Sequence, residues 1–180
     1  MRQLDNVFDA INAVIQANLA DYAAVYYGQA VLQERDGLTF PMVKIGAREG
    51  QQISPIDTQG LQFYHRVTGH DVDEDSGKGS AAYAFHEYEC LLVAVGHRNT
   101  VAVDFDNDDQ ANTVMNILAS NPKIGNAIIQ VTGRPETEKS EVLGIEYAGN
   151  EKITKKVLDL YAFAINYDLK LRGTGGGCSL

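Results

Sequence analysis

Residues 161–171 alternate between bulky and small or polar side chains over their whole length. A period of two is typical of a β-strand, because successive side chains point to opposite faces of a sheet. A helix would instead spread the bulky residues around its axis. We therefore predict a long strand in an antiparallel sheet, with its bulky face covered by the rest of the chain. The bulky positions are Tyr161, Phe163, Ile165, Tyr167, Leu169 and Leu171, and the positions between them are Ala162, Ala164, Asn166, Asp168 and Lys170.

Two amphipathic helices are predicted to supply that cover. The first spans residues 3–22, where apolar side chains recur at spacings of three and four. The second spans residues 108–120, with Asp106 or Asn107 as its N-cap and Asn121-Pro122 ending it. The apolar stripe of the first helix consists of Leu4, Val7, Phe8, Ile11, Val14, Ile15, Leu19 and Tyr22.

Most of the remaining apolar runs are predicted to be strands. Asp36-Gly37 between two such runs indicates a hairpin, and Pro41 in its second strand indicates an edge or bulged position. Residues 91–95 are continuously apolar, which is typical of a central strand covered on both faces. Residues 152–160 fit either the start of the final strand or a short helical turn, and we prefer the strand. The predicted strands are 25–33, 38–45, 61–67, 82–95, 124–132 and 143–147.

The order of these elements predicts an α+β fold, with helices on one face of a mostly antiparallel β-sheet. Residues 1–172 form a single domain in this interpretation. Residues 68–80 are rich in Gly, Asp and Ser and are predicted to form a long loop that reaches a neighbouring subunit or stays mobile. Residues 173–180 form a Gly-rich C-terminal tail, which we also expect to contact a neighbour.

Charge and cysteine content narrow the functional classes. The net charge of −9 and the isoelectric point of about 4.8 argue against sequence-specific binding of nucleic acid, since like charges repel phosphates. Cys90 and Cys178 form no CxxC pair, as expected for a reducing compartment. No apolar run approaches the roughly 20 residues that span a bilayer. We therefore expect a protein that is assembled in the cytoplasm and has no membrane contact.

Two acidic stretches resemble the beginning of a calcium-binding loop. Residues 104–108 have the D-x-D-x-D spacing, but Asp109 and Met115 occupy the positions where the loop needs Gly and Glu. Residues 71–75 fail the same test. Helix capping and a solvated acidic loop explain these residues better, so we predict neither a metal nor a cofactor.

One pair of residues could carry chemistry. His86 shares a predicted strand face with Cys90, which would allow a Cys-His site, whereas His65, His70 and His97 form no HxH or HExxH pattern. A nucleophilic cysteine needs a lowered pKa and an orienting partner. Cys90 lies in an apolar run, where a thiol usually acts as a small hydrophobe. We therefore predict no catalytic residue and no enzyme, and keep a small enzyme using His86 and Cys90 as an alternative.

The overall plan resembles the tail-terminator and head–tail completion (connector) proteins of tailed bacteriophages. The resemblance lies in the order of elements: an opening helix at 4–11 leading into strands, a long polar loop, a helix at 108–120 and a closing strand at 161–169. It implies a small α+β subunit of a homo-oligomeric ring, commonly a hexamer, at the end of the tail tube or in the neck.

From this resemblance we expect a virion structural protein. Its partners would be neighbouring phage neck or tail proteins, and DNA would pass non-specifically through an acidic lumen with little adhesion. A bacterial ligand-binding module is a further alternative.

Overall fold

The computed structural model describes residues 2–19, 24–45, 49–56, 60–73, 85–99 and 106–172. Within them, eight strands form one sheet in the order β3-β2-β1-β4-β5-β8-β7-β6. The pairing of β1 with β4 is parallel, and the other pairs are antiparallel. The predicted α+β class is therefore confirmed. The elements are α1 Arg2–Asn18, β1 Ala24–Arg35, β2 Leu38–Lys44, β3 Gly50–Gln52, β4 Leu61–Asp73, β5 Phe85–His97, α2 Asn107–Ser120, β6 Lys123–Ile124, β7 Ala127–Val131, α3 Lys139–Glu146, α4 Glu151–Thr154 and β8 Leu160–Arg172.

The closing segment is the long strand β8, as its alternation predicts. It pairs along its whole length with β5, and its last residues also pair with β7. Its bulky side chains are all buried in a core that includes the apolar residues of α1 and α2. The predicted layer of helices over this face is confirmed.

Both predicted helices form. Asp106 caps α2 by accepting hydrogen bonds from the backbone N–H groups of Asp108 and Asp109, at 2.9 and 3.0 Å. Helix α1 ends at Asn18, before the predicted end at residue 22. Residues 20–23 lie outside the described part of the chain.

The opposite face of the sheet is covered too, which corrects the prediction of helices on one face only. Helices α3 and α4 pack there against Ala162 and Ala164 of β8 in a second core. The strand predicted at 143–147 is wrong, because those residues fall in or directly after α3. The strand preferred for 152–160 is wrong as well: α4 and a 3-10 turn at Val157–Asp159 occupy that range, so the helical alternative was correct.

The predicted Asp36-Gly37 hairpin forms, with positive φ angles of 54° and 74° at its two turn residues. Pro41 does not lie on an edge, because β2 is flanked by β1 and the short β3. Its carbonyl accepts a hydrogen bond from the N–H of Ile53 at 2.9 Å, on the side of β3. Because the N and C=O groups of a strand residue point to the same side, the missing N–H of Pro41 faces the end of β3 and removes no bond to β1.

The first six residues of the loop predicted at 68–80 belong to a strand instead. Strand β4 continues to Asp73 and pairs with β5 as far as Phe85, so residues 68–73 are extended. Thr68 is an extra residue in β4, since Val67 lies opposite Cys90 while Gly69 lies opposite Glu89. The rest of the predicted loop, and residues 82–84 of the predicted strand, lie outside the described residues.

Candidate functional site

The face of β8 that packs against α3 is buried at the start of the strand and exposed towards its end. Leu160, Ala162 and Ala164 are buried under α3 and α4, whereas Asn166 and Asp168 are exposed. Beyond the end of this cover, β4, β5, β8 and β7 present an open polar surface. We call it the acidic sheet face and define it by Asp71, Glu87, Glu89, Ile128, Gln130, Asp168 and Lys170.

Strand register places like charges next to each other on the acidic sheet face. One row across the four strands reads Gly69, Glu89, Asp168 and Gln130. Acidic side chains directly opposite one another repel. The Glu89 side chain lies over Gly69, because a Cβ atom added at Gly69 would come within 2.6 Å of its Oε2. The glycine therefore provides space into which Glu89 leans, on the side of Glu89 that lies opposite to Asp168.

The next row reads Asp71, Glu87, Lys170 and Ile128. The Lys170 ammonium forms an ion pair with Glu87. Ile128 is 50% exposed although it lies within a paired strand. A groove of about 530 Å³ runs along these rows. The surface thus combines an excess of carboxylates with an uncovered apolar side chain.

The Cys-His site of the enzyme alternative is not assembled. Cys90 is buried, and burial raises the pKa of its thiol to about 12 despite a hydrogen bond with Tyr167. His86 lies four residues away on β5, about 13 Å along the strand. Its Nδ1 is 3.2 Å from Nε2 of His70, and the His70 ring stacks on Tyr88 with centroids 4.5 Å apart. A protonated thiol with no adjacent base is a poor nucleophile.

His65 and Asn12 form a buried polar network that the sequence analysis missed. Asn12 Nδ2 donates to the carbonyl of Tyr27 at 2.9 Å, so its Oδ1 faces His65 Nε2 at 2.9 Å and accepts from it. That bond leaves His65 Nδ1 as an acceptor for the Tyr167 hydroxyl at 2.7 Å. Burial lowers the pKa of His65 to about 3. The only signal was a polar residue one turn from Phe8 on the stripe of α1.

A second missed network holds α3 against the sheet. Glu146 is 1% exposed and forms an ion pair with Arg66, while its Oε2 accepts a hydrogen bond from the Tyr64 hydroxyl at 3.0 Å. Burial raises the pKa of Glu146, and the Arg66 guanidinium opposes this shift. The network therefore ties Glu146 of α3 to Arg66 and Tyr64 of β4 and fixes the helix against the sheet.

Metal binding has no geometric support in the described residues, where no three His, Cys, Asp or Glu side chains lie close enough to share an ion. Residues 101–105, which include Asp104, and residues 74–84 lie outside that range. His97 is the last residue of β5, and its Nδ1 accepts a hydrogen bond from the Asn99 N–H in the following turn at 3.2 Å.

Comparison with protein-family models and with curated proteins found no match to this chain. None of the described helices is long and apolar enough to cross a bilayer.

Proposed function

We propose that this chain is a structural subunit of a tailed-bacteriophage particle, a tail terminator or head–tail connector that assembles into a homo-oligomeric ring, with a hexamer as the expected state. The supporting observation is the acidic sheet face. It is the part of one sheet face, on β4, β5, β8 and β7, that no helix of the described chain covers, and it includes the exposed Ile128. This face is therefore available for contact with another subunit.

The charge of the protein is compatible with a DNA conduit. A net charge of −9 makes much of the surface repel phosphates, so DNA would pass without adhering. This property separates a conduit from a protein that packages or reads DNA, because both of those need a basic surface.

The enzyme alternative receives no support from the geometry. Cys90 is buried, whereas His86 lies beside His70. The groove on the acidic sheet face is lined by neither of these two residues. We therefore place the function in contacts between proteins rather than in bond chemistry.

The test is the assembly state of the purified protein. Size-exclusion chromatography with light scattering, from about 1 to 200 μM protein, should show a closed oligomer, and negative-stain electron microscopy should show rings with a central opening. Mass spectrometry of purified particles from the source phage should detect the chain at a fixed small copy number. A monomer at the highest concentration, together with absence from particles, would overturn the proposal.

A further inference from the structure

A basic, apolar turn lies at the other end of the molecule from the acidic sheet face. Lys152 and Lys156 are exposed, and Lys155 is engaged by Glu151 in a salt bridge. Leu158 follows in the 3-10 turn and is 83% exposed, more than any other large hydrophobic side chain among the described residues. We call Lys152, Lys156 and Leu158 the basic turn.

The basic turn and the acidic sheet face cannot meet within one copy. Strand β8 begins at Leu160, directly after the basic turn, and reaches the acidic sheet face at Asp168 and Lys170. Eight to ten residues of extended chain separate the two surfaces by about 26 to 33 Å. Both lie on the side of the sheet that carries α3 and α4, since Ile153 and Leu160 belong to that core.

We propose that the acidic sheet face of one copy binds the basic turn of a second copy. This inference rests on the proposed function, because it names the contact that would join subunits of the ring. The lysines would approach Glu89 and Asp168, while Leu158 would pack on Ile128 in the groove. Packing of Leu158 on Ile128 would stabilise the contact by removing apolar surface from water. The opposite charges would determine which surfaces bind and how they are aligned.

Charge complementarity favours this occupant over the same face of another copy. Two acidic sheet faces would place carboxylates against carboxylates, whereas the basic turn brings lysines to them. Contacts between two different surfaces of identical subunits are head-to-tail, and they close into a ring when the rotation between copies permits. The proposed contact thus produces the kind of symmetry that a ring needs.

Charge reversal tests the contact. Glu89→Lys with Asp168→Lys, and separately Lys152→Glu with Lys156→Glu, should each weaken assembly at least about tenfold by light scattering, because each places like charges together. Mixing the two double variants in equal amounts should restore association, because the reversed acidic sheet face of one then meets the reversed basic turn of the other. Leu158→Ser should weaken assembly with charge unchanged.

A matched control separates this effect from net charge. Asp5 and Asp9 are exposed acids of α1, which covers the opposite face of the sheet from both surfaces, and Asp5→Lys with Asp9→Lys changes the net charge by the same amount as the reversed acidic sheet face. This control should assemble like the wild type, and circular dichroism should show all variants folded. If both reversal variants still form rings as the wild type does, this contact is wrong, whereas the proposed function is unaffected. A wild-type protein that stays monomeric would overturn both.

Discussion

His65 has no exposed surface, and each of its ring nitrogens has a different neighbour. The Asn12 amide fixes which nitrogen carries the proton, since Asn12 must donate to a carbonyl on its other side. Folding therefore selects one neutral tautomer of this histidine. The charged form would be buried beside Phe8, whose ring stacks on the imidazole at 4.5 Å. Because the folded protein keeps His65 neutral while the unfolded chain can protonate it, this residue makes the free energy of unfolding depend on pH.

This arrangement predicts a pH dependence of unfolding. The pKa of His65 is about 3 in the folded protein and near 6.5 when unfolded. Below pH 6.5 the unfolded chain takes up a proton that the folded chain excludes. The His65 contribution is therefore complete above pH 6.5 and falls by about 1.4 kcal/mol per pH unit as the pH approaches 3.

The measurement is urea unfolding of the wild type and His65→Gln at pH 7, 6, 5 and 4. The variant should be less stable at pH 7, since it disturbs the network, but should lose less stability with falling pH. Subtracting one stability curve from the other cancels the contribution of the carboxylates, because they titrate in both proteins. Parallel curves would show that His65 is accessible to protons in the folded state.

Cys90 should be chemically inert in the folded protein. In a Cys178→Ser variant, a thiol with a pKa of about 12 should hardly react with a disulfide reagent at pH 8, because burial keeps it protonated. The same thiol should react fully in guanidinium chloride. Rapid reaction without denaturant would restore the enzyme alternative.

At the scale of elements, the sequence predicts helices and strands that have a periodic pattern of apolar residues. It misses elements whose conformation depends on contacts with residues far away in the chain. The alternation in β8 and the stripe of α1 each carry their own signal, and both elements form. Helix α3 is short, and the segment Leu143-Gly144-Ile145-Glu146 also fits an alternating pattern. Its helical state is supported by Glu138, which caps α3 by accepting hydrogen bonds from the Ser140 N–H and hydroxyl, and by a salt bridge from Glu146 to a residue 80 positions away. No local pattern could reveal that partner.

Removal of Glu146 should loosen α3. Glu146→Ala leaves the half-buried Arg66 charge and the buried Tyr64 hydroxyl without their acceptor, which should lower the free energy of unfolding by about 2 to 4 kcal/mol. Glu151→Ala breaks the exposed pair with Lys155 and should change stability by about 0.5 kcal/mol or less. Chemical denaturation at pH 7 compares the two. Equal losses would mean that the buried pair contributes no more than the surface pair.

At the scale of the molecule, the acidic sheet face was only partly predictable. The sequence shows that Asp168 and Lys170 share the polar side of β8. It cannot show that Glu89 and Gln130 lie beside them, because cross-strand register depends on pairings between residues far apart in the chain. The second helical layer that ends short of this surface was also missed, and it decides which part of the face stays open.

The layered arrangement predicts an order of hydrogen exchange. Residues 92–95 of β5 are fully buried between both cores and paired with β4 and β8, so their amides should exchange slowest. The two- and three-residue strands β6 and β3 should exchange orders of magnitude faster, because each pairs on one side only. Exchange followed by mass spectrometry of peptides tests this order, and rapid exchange at 92–95 would contradict the double cover. If rings form, peptides of the acidic sheet face should gain protection at assembling concentrations.

The bulge at Thr68 lets β4 carry an extra residue without turning its far half over. Directly opposed residues of paired strands share a face, so the pairing with β5 keeps His70 and Val72 on the α1 side and Gly69 and Asp71 on the acidic side. Deleting Thr68 would restore simple alternation in β4 and leave the imidazole and carboxylate sides where they are. Related proteins could therefore gain or lose this residue through one codon and keep the polarity of this surface.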